Sequence, residues 1–427
     1  MRIERLGDLG DGPSVLGAVA SDAAARPAAL FGEWFGSRAV IAPAVVAAPV
    51  SRCDVFATGA GAAGDVIGGG WFGYLSYPDA GADGRPPRIP EAAGGWADYV
   101  LRQDSDETWW YESLSGAPMP AWLAQTLSTR PNRSSTCRVE WAAADRVAHR
   151  AGVLACLDAI TAGEVYQACV CTQFTGTADG SPVDFFIEAV ARTTPARAAF
   201  VAGDWGAVAS LSPELFLSRH GDTGAGRPAT HDTGAGRPAT FDTVTSCPIK
   251  GTVPAWAAPS ALLESAKDVA ENIMIVDLVR NDLGRVGRVG SVTTPELLAV
   301  RPAPGVWHLV STVSARVPVD IPMAAVLDAT FPPASVTGTP KTRARQLLSQ
   351  WEPCRRGIFC GTIGLASPVA GTELNVAIRT VEFDAHGAAV LGVGGGITAD
   401  SDPDSEWDEC LHKAAPLLYA LDRSTAS

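Results

Sequence analysis

The segment SAKDVAENIMIVDLVRNDLGR, Ser265 to Arg285, is where the chain is easiest to read. Ser265 is a plausible helix N-cap, and Asp268 three residues later completes an imperfect capping box. Gly284 is a natural C-terminal stop. The expected element is a helix from Ser265 to Leu283, on which Asp268 and Glu271 share a face. A second helix is expected to start near Pro403 and run through Tyr419, with Pro416 kinking it or ending it early. There Glu406, Glu409 and Lys413 fall at i, i+3 and i+7, again on one face. Four carboxylates brought together would repel one another unless a cation sat between them. Oxygen-only ligands suit a hard ion such as Mg²⁺. Spacing alone leaves a second reading open, two solvated helix faces.

Working outward, Val139 to Ala162 reads as helical and Val165 to Phe174 as a strand. Ala39 to Val50 is strand-like, and Ser115 to Arg133, with Pro118, Pro120 and Pro131, reads as a linker with one short helix. Asp222 to His231 is DTGAGRPATH and Asp232 to Phe241 is DTGAGRPATF, a decamer occurring twice. Gly, Pro and Thr dominate it, so it builds no core. It reads as a duplicated loop tip between strands Leu211 to Arg219 and Thr243 to Ile249.

Three smaller signals carry chemistry, each with a plainer alternative. GVGGGIT, Gly392 to Thr398, is either a run whose backbone N–H groups approach an anion or a tight turn. Arg379 ends an apolar strand and would either fork onto a carboxylate or make an edge salt bridge. Lys250, between an apolar strand and a glycine turn, is either a desolvated amine acting as nucleophile or a surface residue.

The 427 residues are 47% hydrophobic and 19% charged, a globular composition with length for a large core or two packed domains. A net charge of −13 argues against nucleic acid as partner. No apolar run of about 20 residues marks a membrane span, and Met1 to Gly10 has no signal-peptide core. A cytoplasmic protein is the default expectation. The nine cysteines form no metal-hook pattern and read as small buried hydrophobes without a disulfide framework. Cys169 and Cys171 would share one face of a strand.

Nine segments taken together resemble the chorismate-utilising enzymes, a family that includes anthranilate, aminodeoxychorismate, isochorismate and salicylate synthases. They are GEVYQA (Gly163–Ala168), LSPELFL (Leu211–Leu217), PIKGTV (Pro248–Val253), the Ser265–Arg285 helix, HLVSTVS (His308–Ser314), FPPASVTGTPKT (Phe331–Thr342), RRGIFCGTIGL (Arg355–Leu365), AIRTV (Ala377–Val381) and GGGITADSDPDSEWDECLHKA (Gly394–Ala414). The match spans roughly residues 140 to 420, while the N-terminal third matches loosely. The fold it implies is α+β, with two large antiparallel β-sheets packed face to face and helices outside. A catalytic chorismate-binding domain would occupy 138–420, and the N-terminal region, 1–137, would lend strands to the same body.

The resemblance also implies roles. Glu271 and Glu409 correspond to direct Mg²⁺ ligands, with Asp268 and Glu406 in the outer shell. Arg379 and the backbone of Gly394, Gly395 and Gly396 correspond to groups that hold the enolpyruvyl carboxylate. His308 corresponds to the histidine beside the departing hydroxyl, and Lys413 to a lysine near the metal. Thr337, Gly338, Lys341 and Gln167 are further expected substrate contacts. Gln167 stands where relatives that add water carry a lysine base. Lys250 stands where the aminodeoxychorismate-forming branch keeps a lysine nucleophile and anthranilate-forming relatives have alanine. Glu214 corresponds to the acid that protonates the leaving hydroxyl. Leu365 replaces a tyrosine and Trp307 a second histidine of many relatives.

The expected activity is therefore Mg²⁺-dependent amination of chorismate by ammonia to 4-amino-4-deoxychorismate, the precursor of 4-aminobenzoate and folate. No Gly-x-Cys-x-Gly elbow is present, so the ammonia is expected from a separate glutamine amidotransferase. The rival readings are an anthranilate-forming component and a non-catalytic member that binds chorismate or scaffolds the glutaminase.

Overall fold

The computed structural model of the chain describes residues 1–58, 66–78, 86–129, 131, 135–221 and 241–418. Two large antiparallel sheets make its body. One has 12 strands among the described residues, the other 10. Strands before residue 114 enter both. Arg2–Gly7, Ala28–Trp34, Ser37–Ala42, Tyr99–Gln103 and Trp109–Ser113 join the larger sheet, and Ala48–Pro49, Gly70–Leu75 and Ala92–Ala97 the smaller. The two sheets face one another across a single apolar layer. Leu30 and Val40 of the larger pack with Phe72, Tyr74, Ile363 and Leu365 of the smaller, each such burial contributing roughly 1.5–3 kcal/mol. Leu365 is fully buried in this layer, so its aliphatic side chain has apolar partners.

Helices cover both outer faces. Gly12–Ala20, Ala121–Thr129 and Pro182–Thr193 lie on the larger sheet. Ala266–Gly284 and Met323–Thr330 lie on the smaller. Arg146–Thr161 and Lys341–Trp351 pack on the far end of the larger sheet. The fold is thus the α+β architecture the sequence implied.

Several local readings change. The span expected as one helix from Val139 is a strand, Arg138–Trp141, followed by a helix, Arg146–Thr161. Asp145 caps that helix by accepting from the Ala148 N–H at 2.9 Å, so the helical period begins only after it. Each expected strand flanking the decamers is broken by a proline, which has no N–H for the ladder. Pro213 separates Gly206–Ser212 from Leu215–Gly221, and Pro248 separates Phe241–Cys247 from Ile249–Pro254. The decamers themselves lie outside the described residues except for Phe241. Pro416 does not end its helix, which runs Pro403–Leu418, because so near the C-terminus a missing N–H removes a single late bond. Cys53 and Cys354 are exposed, contrary to expectation, whereas Cys169 and Cys171 are buried on one strand face with sulfurs 3.9 Å apart. No helix of the described residues is long and apolar enough to cross a membrane.

Candidate active site

The glycine run is neither loop nor turn. Gly394, Gly395 and Gly396 sit inside the strand Ala388–Ile397, paired with Cys171, Val170 and Cys169 of the strand Gln167–Asp179. The neighbouring strand on the other side pairs only as far as Leu391. Beyond it, the glycines present an edge with no strand partner among the described residues, and the Lys413 ammonium donates to Gly394 O there at 2.9 Å. Side-chain ends crowd two of these glycines. A β-carbon at Gly395 would stand 2.7 Å from Glu406 Oε2, and one at Gly396 would stand 3.0 Å from Lys250 Nζ and 3.5 Å from Gln167 Oε1.

Lys250 comes to this point on the short strand Ile249–Pro254. Its Nζ lies 4.0 Å from Glu271 Oε2, and its side chain is 12% exposed. Gly251 follows with φ +88°, in the left-handed region that favours glycine. Glu214, just after the Pro213 break, is buried beneath the same strand. Its Oε1 accepts from the Ile249 N–H at 3.4 Å. Burial pushes its carboxyl up to about 7, even though the Ser335 hydroxyl, Lys250 and the Ile249 N–H pull it down. A carboxyl at that value exchanges its proton near neutrality, as a general acid must.

Glu271 and Glu406 arrive from different helices. The helix Ala266–Gly284 is capped by the Ser265 hydroxyl, which accepts from Asp268 N at 3.2 Å. It is docked by Asn272, which donates to Leu309 O at 3.1 Å and accepts from Ser311 Oγ at 2.6 Å. That docking turns Glu271 inward beside the strand that bears His308. Burial raises the Glu271 carboxyl above its usual range, opposed by Lys250 and Lys267. Its Oε1 is buried and accepts no hydrogen bond among the described residues. Glu406 is buried and accepts from Ser401 Oγ at 2.6 Å. Between the two helices stands Lys267, whose Nζ is 4.0 Å from Glu271 Oε1 and 3.7 Å from Glu406 Oε1. Glu409, nearly one turn further, is half-exposed and paired with Lys413 at 2.6 Å. Burial raises its carboxyl, but Lys413, together with Lys267 and Lys250, outweighs that and holds it below the usual range.

His308 is buried on the strand Val306–Pro318. Its Nδ1 shares a 2.8 Å hydrogen bond with Thr252 Oγ1, and its Nε2 has no partner among the described residues. Burial, helped by the charge of Arg379, lowers its pKa to about 4, so the ring is neutral at physiological pH. Arg379 does not end a strand as expected. It lies between Gly371–Val376 and Thr380–Asp384 with φ +50°, its carbonyl accepting from Leu211 N at 2.9 Å. Its guanidinium has no ion-pair partner among the described residues, which suits a cation kept for an anionic ligand.

Three expected substrate residues have other work. Lys341 spends all three donors on Asp282 Oδ2 (2.5 Å), Thr330 O (2.9 Å) and Pro332 O (2.9 Å). Thr337 donates its hydroxyl to Pro333 O at 2.8 Å, and its carbonyl accepts from Cys169 N at 2.9 Å. Gly338 pairs with Ala168, and a β-carbon there would strike Gln167 O at 2.6 Å. The last two therefore hold the strand end that carries Gln167. The sequence reading passed over Thr252, Lys267, Asn272, Ser311, Ser335 and Ser401. Each lies inside one of the nine segments but is a polar or charged residue without a period or spacing to single it out.

The donor set suits a hard cation. Glu271 has a buried carboxylate oxygen with no hydrogen-bond donor, and a second buried carboxylate stands across Lys267. No three His, Cys, Asp or Glu side chains among the described residues form a complete metal cage. Mg²⁺ usually takes one or two protein carboxylates and completes its shell with water and substrate oxygens.

Comparison with known proteins bears on the family and the fold. The sequence profile of the chorismate binding enzyme family matches residues 33–229 and 239–419. Aminodeoxychorismate synthase component 1 of Klebsiella aerogenes is 39% identical over 268 residues, 61% of this chain and 54% of that protein. Aminodeoxychorismate synthase of Streptomyces griseus is 36% identical over 387 residues, 83% of this chain and 50% of that protein. The chain spans about half the length of these relatives. The solved structure of anthranilate synthase component I from Streptococcus pneumoniae superposes with a TM-score of 0.68 at 23% identity, covering 98% of this chain and 92% of that one. The menaquinone-specific isochorismate synthase of Escherichia coli superposes with a TM-score of 0.67 at 16% identity, covering 98% and 94%. At these identities the structural likeness establishes the fold, and the profile match over most of the sequence establishes more: the chain belongs to the chorismate binding enzyme family.

Proposed function

We propose that the chain is the chorismate-aminating part of an aminodeoxychorismate synthase. It would work in the cytoplasm with Mg²⁺ and with ammonia supplied by a glutamine amidotransferase. The observation that carries this reading is the placement of Lys250, between Glu214 beneath its strand and Glu271 and Gly396 above it. The 39% and 36% identities to relatives named for this activity support it.

In this mechanism Arg379 and the open edge of Gly394–Gly396 hold the enolpyruvyl carboxylate. Glu271 and Glu409 would hold Mg²⁺, with Asp268 and Glu406 behind them. The cation would supply charge neutralisation for the ring carboxylate. The Lys250 amine forms a bond to ring carbon 2, both ring double bonds shift, and the hydroxyl leaves carbon 4 as water with the Glu214 proton. Ammonia then bonds to carbon 4, both double bonds return, the Lys250 amine leaves, and a proton lost from the added nitrogen restores Glu214. The balance is chorismate plus ammonia giving the 4-amino product plus water. His308, neutral and with Nε2 free to face the leaving oxygen, positions that group. Gln167 carries an amide and offers no base to activate water.

Purified protein incubated with chorismate, MgCl₂ and ammonium at alkaline pH, with the ring carbon bearing nitrogen identified by NMR, tests this. Nitrogen at carbon 4, with turnover lost in excess chelator, is the expected outcome. Nitrogen at carbon 2 would move the assignment to the anthranilate-forming relatives.

A further inference from the structure

Lys267 is a charged group at this site to which the mechanism gives no task. It lies in the first turn of its helix, half-exposed, with Nζ 4.0 Å from Glu271 Oε1 and 3.7 Å from Glu406 Oε1. Both distances exceed those of a made hydrogen bond, so the ammonium neutralises the two carboxylates without being locked to either. Glu271 has a second ammonium, Lys250, at 4.0 Å from its other oxygen. Lys250 is 12% exposed on a strand, whereas the Lys267 side chain is 46% exposed on a flexible stem. Of the two cations, Lys267 is the one free to leave toward solvent. A divalent ion binding carboxylate oxygen at about 2.0–2.1 Å would repel an ammonium held at its present distance from the same oxygen.

We propose that Lys267 is a resident counter-ion of Glu271 and Glu406 that competes with Mg²⁺ for Glu271. It holds the two helices' carboxylates together, and it withdraws when the metal binds. This rests on the metal reading given above. Its consequence is that the protein binds Mg²⁺ less tightly than its carboxylates alone would allow, while its two helices stay docked before metal and substrate arrive.

Calorimetric titration of MgCl₂ into the full chain, without substrate, tests it. Lys267→Met should bind Mg²⁺ about tenfold more tightly than wild type, equivalent to ~1.4 kcal/mol. Lys267→Arg, which keeps the charge, should stay near wild type. Arg280→Met removes the same charge from the same helix outside the site and should leave affinity unchanged. In excess chelator, Lys267→Met should melt at a lower temperature than wild type, and added Mg²⁺ should raise its melting point by more. If wild type binds Mg²⁺ but Lys267→Met binds no more tightly, or Arg280→Met tightens binding equally, the competition is overturned and the metal reading stands. If neither wild type nor Lys267→Met binds Mg²⁺, while both are folded by circular dichroism, the metal reading fails and the competition with it.

Discussion

A β-carbon at Gly396 would stand 3.0 Å from the Lys250 ammonium nitrogen. The glycine thus marks the wall against which the lysine rests, and two segments 146 residues apart in sequence, 250 and 396, share one small volume. Gly396 does not have a positive φ, so alanine fits its backbone. Gly396→Ala should therefore fold with stability within about 1 kcal/mol of wild type, since the flexible end of Lys250 gives way. Its kcat/KM should fall roughly 100-fold, as expected when a reacting group is displaced by about 1 Å. Wild-type kinetics in a variant shown to carry the alanine would place the chemistry elsewhere.

Lys250→Ala removes the amine while leaving the carboxylates and glycines in place. It should lose most formation of the 4-amino product, with slow addition of ammonia at carbon 2 as the residual route. Lys250→Arg should not rescue it, because a guanidinium stays protonated. Peptide mass analysis after incubation with chorismate but no ammonia should find an adduct on Lys250 in the wild type alone.

Glu214 links activity to stability. Its folded-state pKa of about 7 lies above the ordinary 4.5. A carboxyl raised in this way contributes stability that is complete below the unfolded value and is lost as pH rises through the folded one. Wild type should thus weaken between pH 4.5 and 7.5 by up to about 3 kcal/mol from this group. Glu214→Gln should remove that slope in denaturant unfolding and be the more stable protein at pH 8, yet turn over poorly at every pH. An unchanged slope would show that Glu214 is not the buried proton carrier.

Lys341 separates a structural role from a substrate one. Lys341→Met leaves Asp282 buried without its cation, and burial alone already pushes that carboxyl up against the pull of Lys341. The loss should be about 3–5 kcal/mol of stability, while the KM for chorismate of the folded fraction stays near wild type. A large rise in KM without loss of stability would return Lys341 to the substrate.

The two decamers are not equivalent as deletions. Phe241 ends the second copy and begins the strand Phe241–Cys247, with the Arg288 and Arg316 guanidiniums 5.5 and 5.4 Å from its ring centre. His231 ends the first copy. Deleting Asp222–His231 should change stability by less than about 1 kcal/mol, because halving the length of chain that joins two strands alters closure cost by only ~0.6 kcal/mol. Deleting Asp232–Phe241 puts His231 under both arginines and should cost more. Equal melting temperatures for the two deletions would count against this.

Local chemistry made some elements legible. Ser265, Asp268 and Gly284 announce their helix because a cap satisfies N–H groups within one turn, whatever the rest of the chain does. The resemblance carried the larger frame, two sheets with helices outside, because nine ordered segments match at once. The strand breaks at Pro213 and Pro248 are legible too, because a proline has no N–H for the ladder. The start of the Arg146 helix was not, since Arg138–Trp141 takes its strand form from pairing with Gly176–Asp179, a partner that periodicity does not reveal.

What the sequence by itself determined are the identities that chemistry needs: a lysine at 250, carboxylates at 214, 271, 406 and 409, an amide at 167 and glycines at 394–396. These follow from residue type and one-dimensional order. Only the tertiary structure decided their company. It set Gly396 against Lys250, left His308 neutral under burial and the charge of Arg379, sent Lys341 to Asp282 and put Lys267 between two carboxylates from separate helices. Those outcomes depend on desolvation and on distances of a few ångströms between segments far apart in the chain, and neither quantity is set until the sheets and helices have packed.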